Sequence, residues 1–319
     1  MNPRLKFSFF LLFVGILTLY AVIFQTRPKI IYQTTEVLGE STNLELFVEP
    51  EDGRAPLLNY INSSNNILLE VYILSDPEII TAVASRSAKI LLEEHPFGGN
   101  NLNQKTKSLL GNMVNWSSPS YALTHAKFIV FDDRVVCILN LNITKAAFTK
   151  NREYNVCSVE KEDVAEATNI FNADLARKDY LPTDPHLVVS PDNSRGKLTA
   201  LLNSAQNQID IEIEVLTDKK MIEIISEKAK NMQVRIIIPE KKTVDNPIIP
   251  NTQTRILKSP YPHAKLIIID NQRAYTGSIN FTSQSLDQNR ELGILISQPN
   301  IIERLRNTFE IDWKNAMVP

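Results

Sequence analysis

The feature that most constrains this chain is an internal repeat. Residues 125–132 read His-Ala-Lys-Phe-Ile-Val-Phe-Asp and residues 263–270 read His-Ala-Lys-Leu-Ile-Ile-Ile-Asp, at an offset of 138 (263 minus 125). The same offset places Asn142 on Asn280 and the triplet Asn-Arg-Glu at 151–153 on the one at 289–291. A single short pattern arises by chance in many chains, but two copies with matching downstream residues do not. The sequence therefore predicts two similar halves.

Each copy is typical of a β-hairpin. Residues 266–269 form an apolar, β-branched run of strand length, residues 270–273 a polar turn, and residues 273–276 a second strand that leads into Gly277-Ser278. Successive side chains of a strand point to opposite faces, so His263 and Lys265, two residues apart, share a face. An imidazole, an ammonium, a hydroxyl and a carboxamide gathered in this way suit an anionic oxygen centre such as a phosphodiester.

The paired H-x-K-x4-D pattern, with Gly-Ser-Ile-Asn at 277–280, resembles the duplicated signature of the phospholipase D superfamily. The resemblance covers most of the chain after the first forty-odd residues. It implies an α/β fold of two phospholipase D-like repeats, each a mixed β-sheet flanked by helices, packed about a pseudo-twofold axis. It also implies that both motifs meet in one site. There one histidine attacks phosphorus to form a phosphohistidine, while the other protonates the leaving alcohol and then activates water or an acceptor alcohol.

The resemblance also implies roles for individual residues. By resemblance, His125 is the nucleophile and His263 is the acid and base. The sequence itself does not distinguish the two histidines, because their motifs match. The lysines and asparagines hold the nonbridging oxygens, and the glutamates orient the histidine rings. The aspartates lie at the far end of each strand from the histidine, so we expect them to be structural. The predicted site comprises His125, Lys127, Asp132, Asn142, Glu153, His263, Lys265, Asp270, Ser278, Asn280 and Glu291.

The first copy departs from the second at one place. It has Leu139-Asn140 where the second has Gly277-Ser278. Asn140 still offers a hydrogen-bond donor, whereas Leu139 is bulkier than glycine and is expected to narrow that side of the site. The departure puts the substrate and the efficiency of the first copy in question.

The N-terminal region predicts a membrane anchor. Residues 7–24 are 18 uncharged, mostly apolar residues, close to the roughly 20 needed to span a bilayer. No small-x-small cleavage pattern follows, so we predict an uncleaved signal-anchor with the catalytic part outside the cytoplasm; a cleaved signal would make the protein secreted. The predicted organisation is a tail (1–6), the anchor (7–24), a tether (25–42), a first repeat (43–180), a linker (181–192) and a second repeat (193–319).

The order of elements within each half is predicted to be strand, helix, strand. The first half has a strand from residue 44, a helix near 57–63, a strand at 66–74 and a helix at 76–88. The second has a strand at 207–216, a helix at 218–230 and a strand at 234–238. Residues 93–121 and 239–262 are predicted loops that wall the site, and residues 163–178 and 301–316 are predicted amphipathic helices.

Charge and composition narrow the function. The net charge of −2 gives no basic field of the kind that nucleic-acid binders usually carry. The sequence has no metal-ligand spacing and no cofactor motif, so no cofactor or metal is predicted. His95 and His186, beside prolines, are interpreted as surface residues. Cys137 and Cys157 are either buried small hydrophobes or, in an exported domain, a disulfide between adjacent strands.

The leading interpretation is a membrane-anchored phospholipase D-like enzyme that cleaves or exchanges a phospholipid headgroup. One chain holds both motifs, so a monomer is expected. A nuclease on DNA or RNA is possible but not favoured, and a cardiolipin synthase-like transferase is the other alternative within the superfamily. A membrane-tethered binding module with a decaying first motif is an alternative from another class, and the intact histidines and lysines argue against it.

Overall fold

The computed structural model describes residues 43–97, 100–240 and 246–319. The predicted tail, anchor and tether (1–42) lie outside these residues. Within them, no helix combines the length and the apolar character needed to cross a membrane.

The first repeat is a mixed sheet with helices on it. Its strands lie in the order β1-β7-β6-β5-β2-β3-β4, in which β2, β3 and β4 are parallel and the other pairs are antiparallel. The elements are β1 (Leu44–Glu49), α1 (Ala55–Ser63), β2 (Asn66–Val71), α2 (Pro77–Ala84), β3 (Ser87–Leu92), α3 (Asn100–Leu110), β4 (Val114–Trp116), β5 (Lys127–Phe131), β6 (Val135–Ile138), α4 (Lys145–Lys150), β7 (Asn151–Ser158) and α5 (Lys161–Ala176).

The second repeat has the same topology. Its sheet runs β11-β10-β9-β13-β14-β15-β8, again with three parallel strands at one end. The elements are β8 (Leu187–Ser190), α6 (Ser194–Asn203), β9 (Gln208–Ile213), α7 (Lys219–Lys228), β10 (Gln233–Pro239), β11 (Gln253–Leu257), β12 (Tyr261–Pro262), β13 (Lys265–Ile269), β14 (Arg273–Gly277), α8 (Ser283–Asp287), β15 (Glu291–Ile296) and α9 (Pro299–Asn315). The predicted α/β fold of two repeats is confirmed for the described residues.

Three predicted segments are wrong in detail. The predicted loop at 239–262 contains β11 and β12. The predicted loop at 93–121 contains α3, whose polar sequence hides it from a periodicity argument, because only a few apolar residues mark its inner face. The predicted linker at 181–192 contains β8, which pairs with β15 at the edge of the second sheet. The second repeat thus begins near Leu187, and the connection between α5 and β8 covers residues 177–186.

A shared core joins the two repeats. It combines apolar side chains from both sheets with those of α5 and α9, and includes Phe128, Phe171, Leu266, Leu292 and Phe309. Two further cores, one in each repeat, fill the space under the remaining helices. The repeats are therefore continuous with each other through buried apolar surface, which is the dominant stabilising term in such a fold.

Cys137 and Cys157 form a disulfide. They face each other on the neighbouring antiparallel strands β6 and β7. Of the two interpretations that the sequence allowed, the structure thus favours the cross-strand bridge.

Candidate active site

Backbone pairing brings the two motifs to one place. The strand β12, just before His263, pairs with residues 151 and 152 at the start of β7 in the first repeat. In the same way the backbone N–H of His125 donates to the carbonyl of Arg290 in the second repeat, at 2.8 Å. Each histidine therefore enters the interface beside the Asn-Arg-Glu triplet of the opposite repeat.

Each histidine is bound by the glutamate of the other repeat. His125 Nδ1 lies 2.8 Å from Glu291 Oε2, and His263 Nδ1 lies 2.8 Å from Glu153 Oε2. Both glutamates are fully buried. A carboxylate on Nδ1 keeps the proton there and leaves Nε2 to face the substrate, which is the orienting logic of a catalytic triad. The predicted glutamates are thus brought to the predicted histidines, but in exchanged order.

The asparagine of each triplet holds the free oxygen of its glutamate. Asn151 Nδ2 donates to Glu153 Oε1 and Asn289 Nδ2 to Glu291 Oε1, each at 3.0 Å. Both carboxylate oxygens are then engaged, so the direction of each histidine ring is fixed by a chain of two hydrogen bonds.

The two lysines are buried beside the histidines. Lys127 Nζ donates to the carbonyl of His125 at 2.7 Å, and Lys265 Nζ donates to the carbonyl of His263 at 2.6 Å. Burial lowers the pKa of Lys127 to about 7, against the attraction of Glu291. A bound anion would favour its charged form, so this ammonium is suited to a phosphate oxygen.

His125 is neutral at physiological pH. Burial, followed by the charge of Lys127, lowers its pKa to about 4, while Glu291 opposes the shift. The charge of Lys265 in the second motif also lowers this pKa. With Nδ1–H directed to Glu291, the Nε2 lone pair of His125 is available for attack on an electrophile.

Asn142 and Asn280 occupy matching positions after the hairpins. In the described part of the chain, the buried Oδ1 of each has no hydrogen-bond partner. Which amide atom is oxygen is assigned from the surrounding hydrogen bonds, and an unpaired buried amide atom costs free energy unless a ligand pairs with it. Binding of nonbridging oxygens would use the Nδ2 donors of these carboxamides, whereas an unpaired Oδ1 would accept from a donor such as an alcohol hydroxyl.

Three predicted residues lie away from the histidine rings. Asp132 accepts hydrogen bonds from the backbone N–H groups of residues 65 and 66, and Asp270 from those of residues 206, 207 and 208. Both aspartates close the start of a neighbouring strand, which is the structural role that we expected. The Ser278 hydroxyl exchanges hydrogen bonds with the backbone of Leu292 and is fully buried.

Leu139 is accommodated by the core rather than by the site. It packs in the core of the first repeat and is fully buried. In the second repeat a Cβ on Gly277 would stand 2.3 Å from the Cα of Gly293, and one on Gly293 would stand 2.3 Å from the Tyr275 ring. Cys137 takes the place of that tyrosine in the first repeat, so a leucine fits. Leu139 therefore points into the core and does not narrow the site, contrary to our expectation.

Asn140 links the two repeats. Its Nδ2 donates to the carbonyl of Gly277 at 2.7 Å, and its own N–H donates to Asn155 Oδ1 at 3.0 Å. The side chain is fully buried, so Asn140 supports the frame on which both hairpins end.

The arginine of each triplet crosses to the opposite terminal helix, a role that the sequence did not reveal. Arg152 Nη2 donates to Asp312 Oδ1 at 3.0 Å, and Arg290 Nη2 donates to Asp174 Oδ1 at 2.9 Å. Both guanidinium groups are almost completely buried. The signal was present, because Asp174 and Asp312 also lie 138 residues apart (312 minus 174).

One pair of site residues breaks the symmetry and was also missed. Tyr72 follows β2 and its ring meets the His125 ring edge-on, with 4.7 Å between centroids. Glu214 follows β9 and its Oε2 accepts from Lys265 Nζ at 2.9 Å. A search for repeated residues cannot find this position, because the two copies differ in it.

A group of possible metal ligands lies outside the site. In the described residues, Asp163, Asp184 and His186 are the one such cluster. His186 Nδ1 lies 2.9 Å from Asp163 Oδ1, and Asp184 Oδ1 accepts from the backbone of residues 186 and 187. These contacts fasten the connection between the repeats to α5. His186 is thus an ion-paired, half-buried residue and not the surface residue predicted, whereas the side chain of His95 is 76% exposed.

The fold and the site together define a class of protein in which two α/β repeats bring paired histidines and lysines to one interface. The sequence model of the family described as "Cardiolipin synthase, PLD-like domain" matches residues 57–175 and 198–313. The chain therefore belongs to this family, within the phospholipase D superfamily. A search of curated protein sequences finds no match.

Solved structures share the fold at low sequence identity. Polyphosphate kinase from Porphyromonas gingivalis matches 85% of this chain, at 15% identity and a TM-score of 0.67, and this chain spans 50% of its length. Phosphatidylserine synthase from Haemophilus influenzae matches 87% of this chain and 87% of its own, at 14% identity and a TM-score of 0.64. Both similarities concern the fold alone.

Proposed function

We propose that this protein is a membrane-anchored phospholipase D-like enzyme that cleaves or exchanges a phospholipid headgroup through a phosphohistidine. The observation that carries the proposal is the reciprocal exchange of glutamates, which gives each histidine a carboxylate on Nδ1 and leaves Nε2 for chemistry. Superfamily members are phosphodiester-acting enzymes, and the residues of that chemistry are all present.

The reaction would proceed by two displacements at phosphorus. His125 Nε2 attacks phosphorus while His263 gives its Nε2 proton to the departing alcohol. His263 then takes a proton from water or an acceptor alcohol, whose oxygen displaces His125. Lys127, Lys265 and the two asparagines hold the nonbridging oxygens and stabilise the charge of each transition state.

Three considerations favour a phospholipid over a nucleic acid. The predicted anchor would hold the site close to a bilayer, and the net charge of −2 offers no general attraction for a polyanion. The family description names cardiolipin synthase, an enzyme of phospholipids.

The test is product analysis with the full chain. Mixed phospholipid vesicles and single-stranded DNA are each incubated with the enzyme and with His125→Ala, and products are identified by mass spectrometry. Phosphatidic acid or an exchanged phospholipid, absent with the variant, is the expected result. Cleavage of DNA with intact lipids would replace the lipid proposal by the nuclease.

The same family description favours transfer as a second candidate reaction. Adding an alcohol such as glycerol in increasing amounts decides between the two. A transferase diverts the phosphatidyl group to the alcohol, whereas a hydrolase forms phosphatidic acid at every alcohol concentration.

A further inference from the structure

The two catalytic histidines have matching partners on Nδ1 but different surroundings at the other side of the ring. Beside each histidine lies the residue that directly follows the parallel strand paired with its hairpin, which is β2 in the first repeat and β9 in the second. That residue is Tyr72 in the first repeat and Glu214 in the second. The site is therefore symmetric in its histidines, lysines and glutamates but asymmetric at this one position.

His263 stands between two carboxylates. Its Nδ1 lies 2.8 Å from Glu153 Oε2, and its Nε2 lies 3.4 Å from Glu214 Oε2. An imidazole presents a donor toward both carboxylates only when each nitrogen carries a proton. Although burial opposes ionisation, the charges of His263 and Lys265 lower the pKa of Glu214 to about 2, so its negative charge is present at neutral pH.

His125 has one carboxylate and an aromatic ring instead. In the described part of the chain, Glu291 is the one carboxylate paired with it, on Nδ1. The Tyr72 ring lies against its ring, and Lys127 Nζ lies 5.4 Å from the centre of that tyrosine. An uncharged ring beside a buried lysine favours the neutral imidazole, whose Nε2 is a nucleophile.

We propose that Glu214 is the positioning residue that divides the labour between the histidines: it holds His263 as the protonated acid and leaves His125 as the nucleophile. This inference rests on the phosphodiester function proposed above, and it deepens that function by assigning the nucleophile and the acid to particular histidines.

The assignment gives a balanced sequence of steps. The Nε2 lone pair of His125 forms a bond to phosphorus as the bond to the leaving oxygen breaks, and that oxygen takes the Nε2 proton of His263. In the second step, a proton of water moves to His263 Nε2 as the water oxygen bonds to phosphorus and the phosphorus–nitrogen bond breaks. His125 is released neutral, and His263 is again protonated between Glu153 and Glu214.

Other charged and titratable groups face this pair from several elements and are present in both the enzyme and a Glu214 variant. They are Lys265 on β13, Tyr261 on β12, Glu153 on β7, Lys127 and His125 at the start of β5, and Glu291 on β15. A difference in rate or pH profile between the enzyme and the variant can therefore be assigned to the loss of the Glu214 carboxylate.

The experiment uses the full chain, Glu214→Gln, and Glu223→Gln as a control on the exposed face of α7. Two substrates with the same phosphatidyl group are compared, phosphatidylcholine and phosphatidyl-p-nitrophenol, in mixed micelles. The nitrophenolate leaves without a proton, whereas the choline alcohol needs one. We expect Glu214→Gln to lower kcat on phosphatidylcholine by about 100-fold or more. Single-turnover release of nitrophenol is expected to stay within about threefold.

The pH dependence of kcat/KM distinguishes a positioning role of Glu214 from a purely structural one, because a structural role would not shift it. The alkaline limb of kcat/KM for phosphatidylcholine is expected to shift to lower pH by about 1–3 units in Glu214→Gln. Glu223→Gln should leave both rate and profile unchanged. Equal loss on the two substrates with an unshifted profile would overturn the inference.

The wild-type protein alone gives an independent check that needs no variant. Acid-free trapping of the intermediate and peptide mass spectrometry should place the phosphoryl group on His125. Label on His263 would overturn the assignment while leaving the proposed function intact. A wild-type protein that reacts with neither substrate would instead overturn the proposed function, and the assignment with it.

Discussion

At the scale of the residue, each glutamate of the site satisfies two donors at once. Glu291 accepts from Asn289 through Oε1 and faces His125 through Oε2. A glutamine has a single oxygen, so it can satisfy one of these donors and must turn an N–H toward the other. We predict that Glu291→Gln lowers kcat by about 100- to 10,000-fold, as for the orienting acid of other triads.

The check is steady-state kinetics beside Glu303→Gln, which changes an exposed carboxylate on α9. Activity of Glu291→Gln within twofold of the parent would show that the cross-repeat contact does not orient His125. Circular dichroism of both variants separates a change of chemistry from a change of fold.

Asp270, by contrast, should affect stability and not chemistry. Its carboxylate accepts three backbone N–H groups at the start of β9. We predict that Asp270→Ala lowers the free energy of unfolding by about 1–2 kcal/mol, as for loss of a helix cap, with kcat of the folded protein unchanged. Burial acts against ionisation, but those N–H groups lower the pKa of the carboxyl.

The pH dependence of that contribution has a definite sign. A lowered pKa in the folded state means that the stabilisation is present above the unfolded value of about 3.9 and is lost as the pH falls through the lower folded value. Urea denaturation of the parent and Asp270→Ala at pH 7 and pH 3 measures it. A larger difference at pH 3 would contradict the prediction.

Most of the positions at which the two copies agree could be read from the sequence, although the roles of Arg152 and Arg290, which also repeat, were not. His125, Lys127, Glu153 and their counterparts repeat at one offset, and the structure brings all of them to the interface. Sequence reasoning failed where the copies differ, at Glu214 and Tyr72, because a duplicated signature marks only what both copies keep. It could not show the exchange of the glutamates either, since no spacing within one repeat encodes a contact to the other.

At the scale of the element, short apolar and β-branched runs predicted the first strand of each hairpin and the central strands of both sheets. The edge strand β8 was missed since it is four residues long and flanked by Pro185 and Pro191. The sequence nonetheless shows that β8 corresponds to β1. Both Val48-Glu49-Pro50 and Val189-Ser190-Pro191 have an arginine four residues after the proline. A repeat search that tolerates a changed offset would have found it.

The connection into β8 should respond to pH through His186. The hydrogen bond to Asp163, the largest effect, raises its pKa although burial opposes it. Stabilisation by a raised pKa is fully present below the unfolded value of about 6.5 and declines as the pH rises through the folded value. We predict that His186→Gln costs about 1.5–3 kcal/mol near pH 6 and less at pH 9.

Thermal or urea denaturation of the parent and the variant across this pH range gives the difference. His95→Gln is the matched control, because its side chain is exposed. A cost that is the same at pH 6 and pH 9 would show that the charged form of His186 does not contribute.

At the scale of the whole molecule, each repeat is held to the terminal helix of the other by one buried ion pair, Arg152–Asp312 or Arg290–Asp174. Arg290 contacts Asp174 and also the carboxylate of Asp192, at 3.1 Å. Removing one member of a buried pair leaves a charge without compensation. We predict that Arg290→Met lowers the free energy of unfolding by about 3–5 kcal/mol.

A second variant tests the origin of that loss. Arg290→Met combined with Asp174→Leu removes one of the two carboxylates that lose their partner, and should recover part of the stability. Urea denaturation followed by tryptophan fluorescence measures both. An equal or larger loss in the double variant would place the effect in packing instead of charge.

The reciprocal contacts make the two repeats of this chain comparable to two subunits that are joined by a short connection. The ten residues 177–186 between α5 and β8 hold two interdependent halves together, at the millimolar effective concentrations typical of short links. Assembly of the site is then a first-order event that dilution does not affect. If the chain were cut within 177–186, activity would become second order in the fragments, and the concentration for half-maximal recovery would measure how strongly each half holds the other.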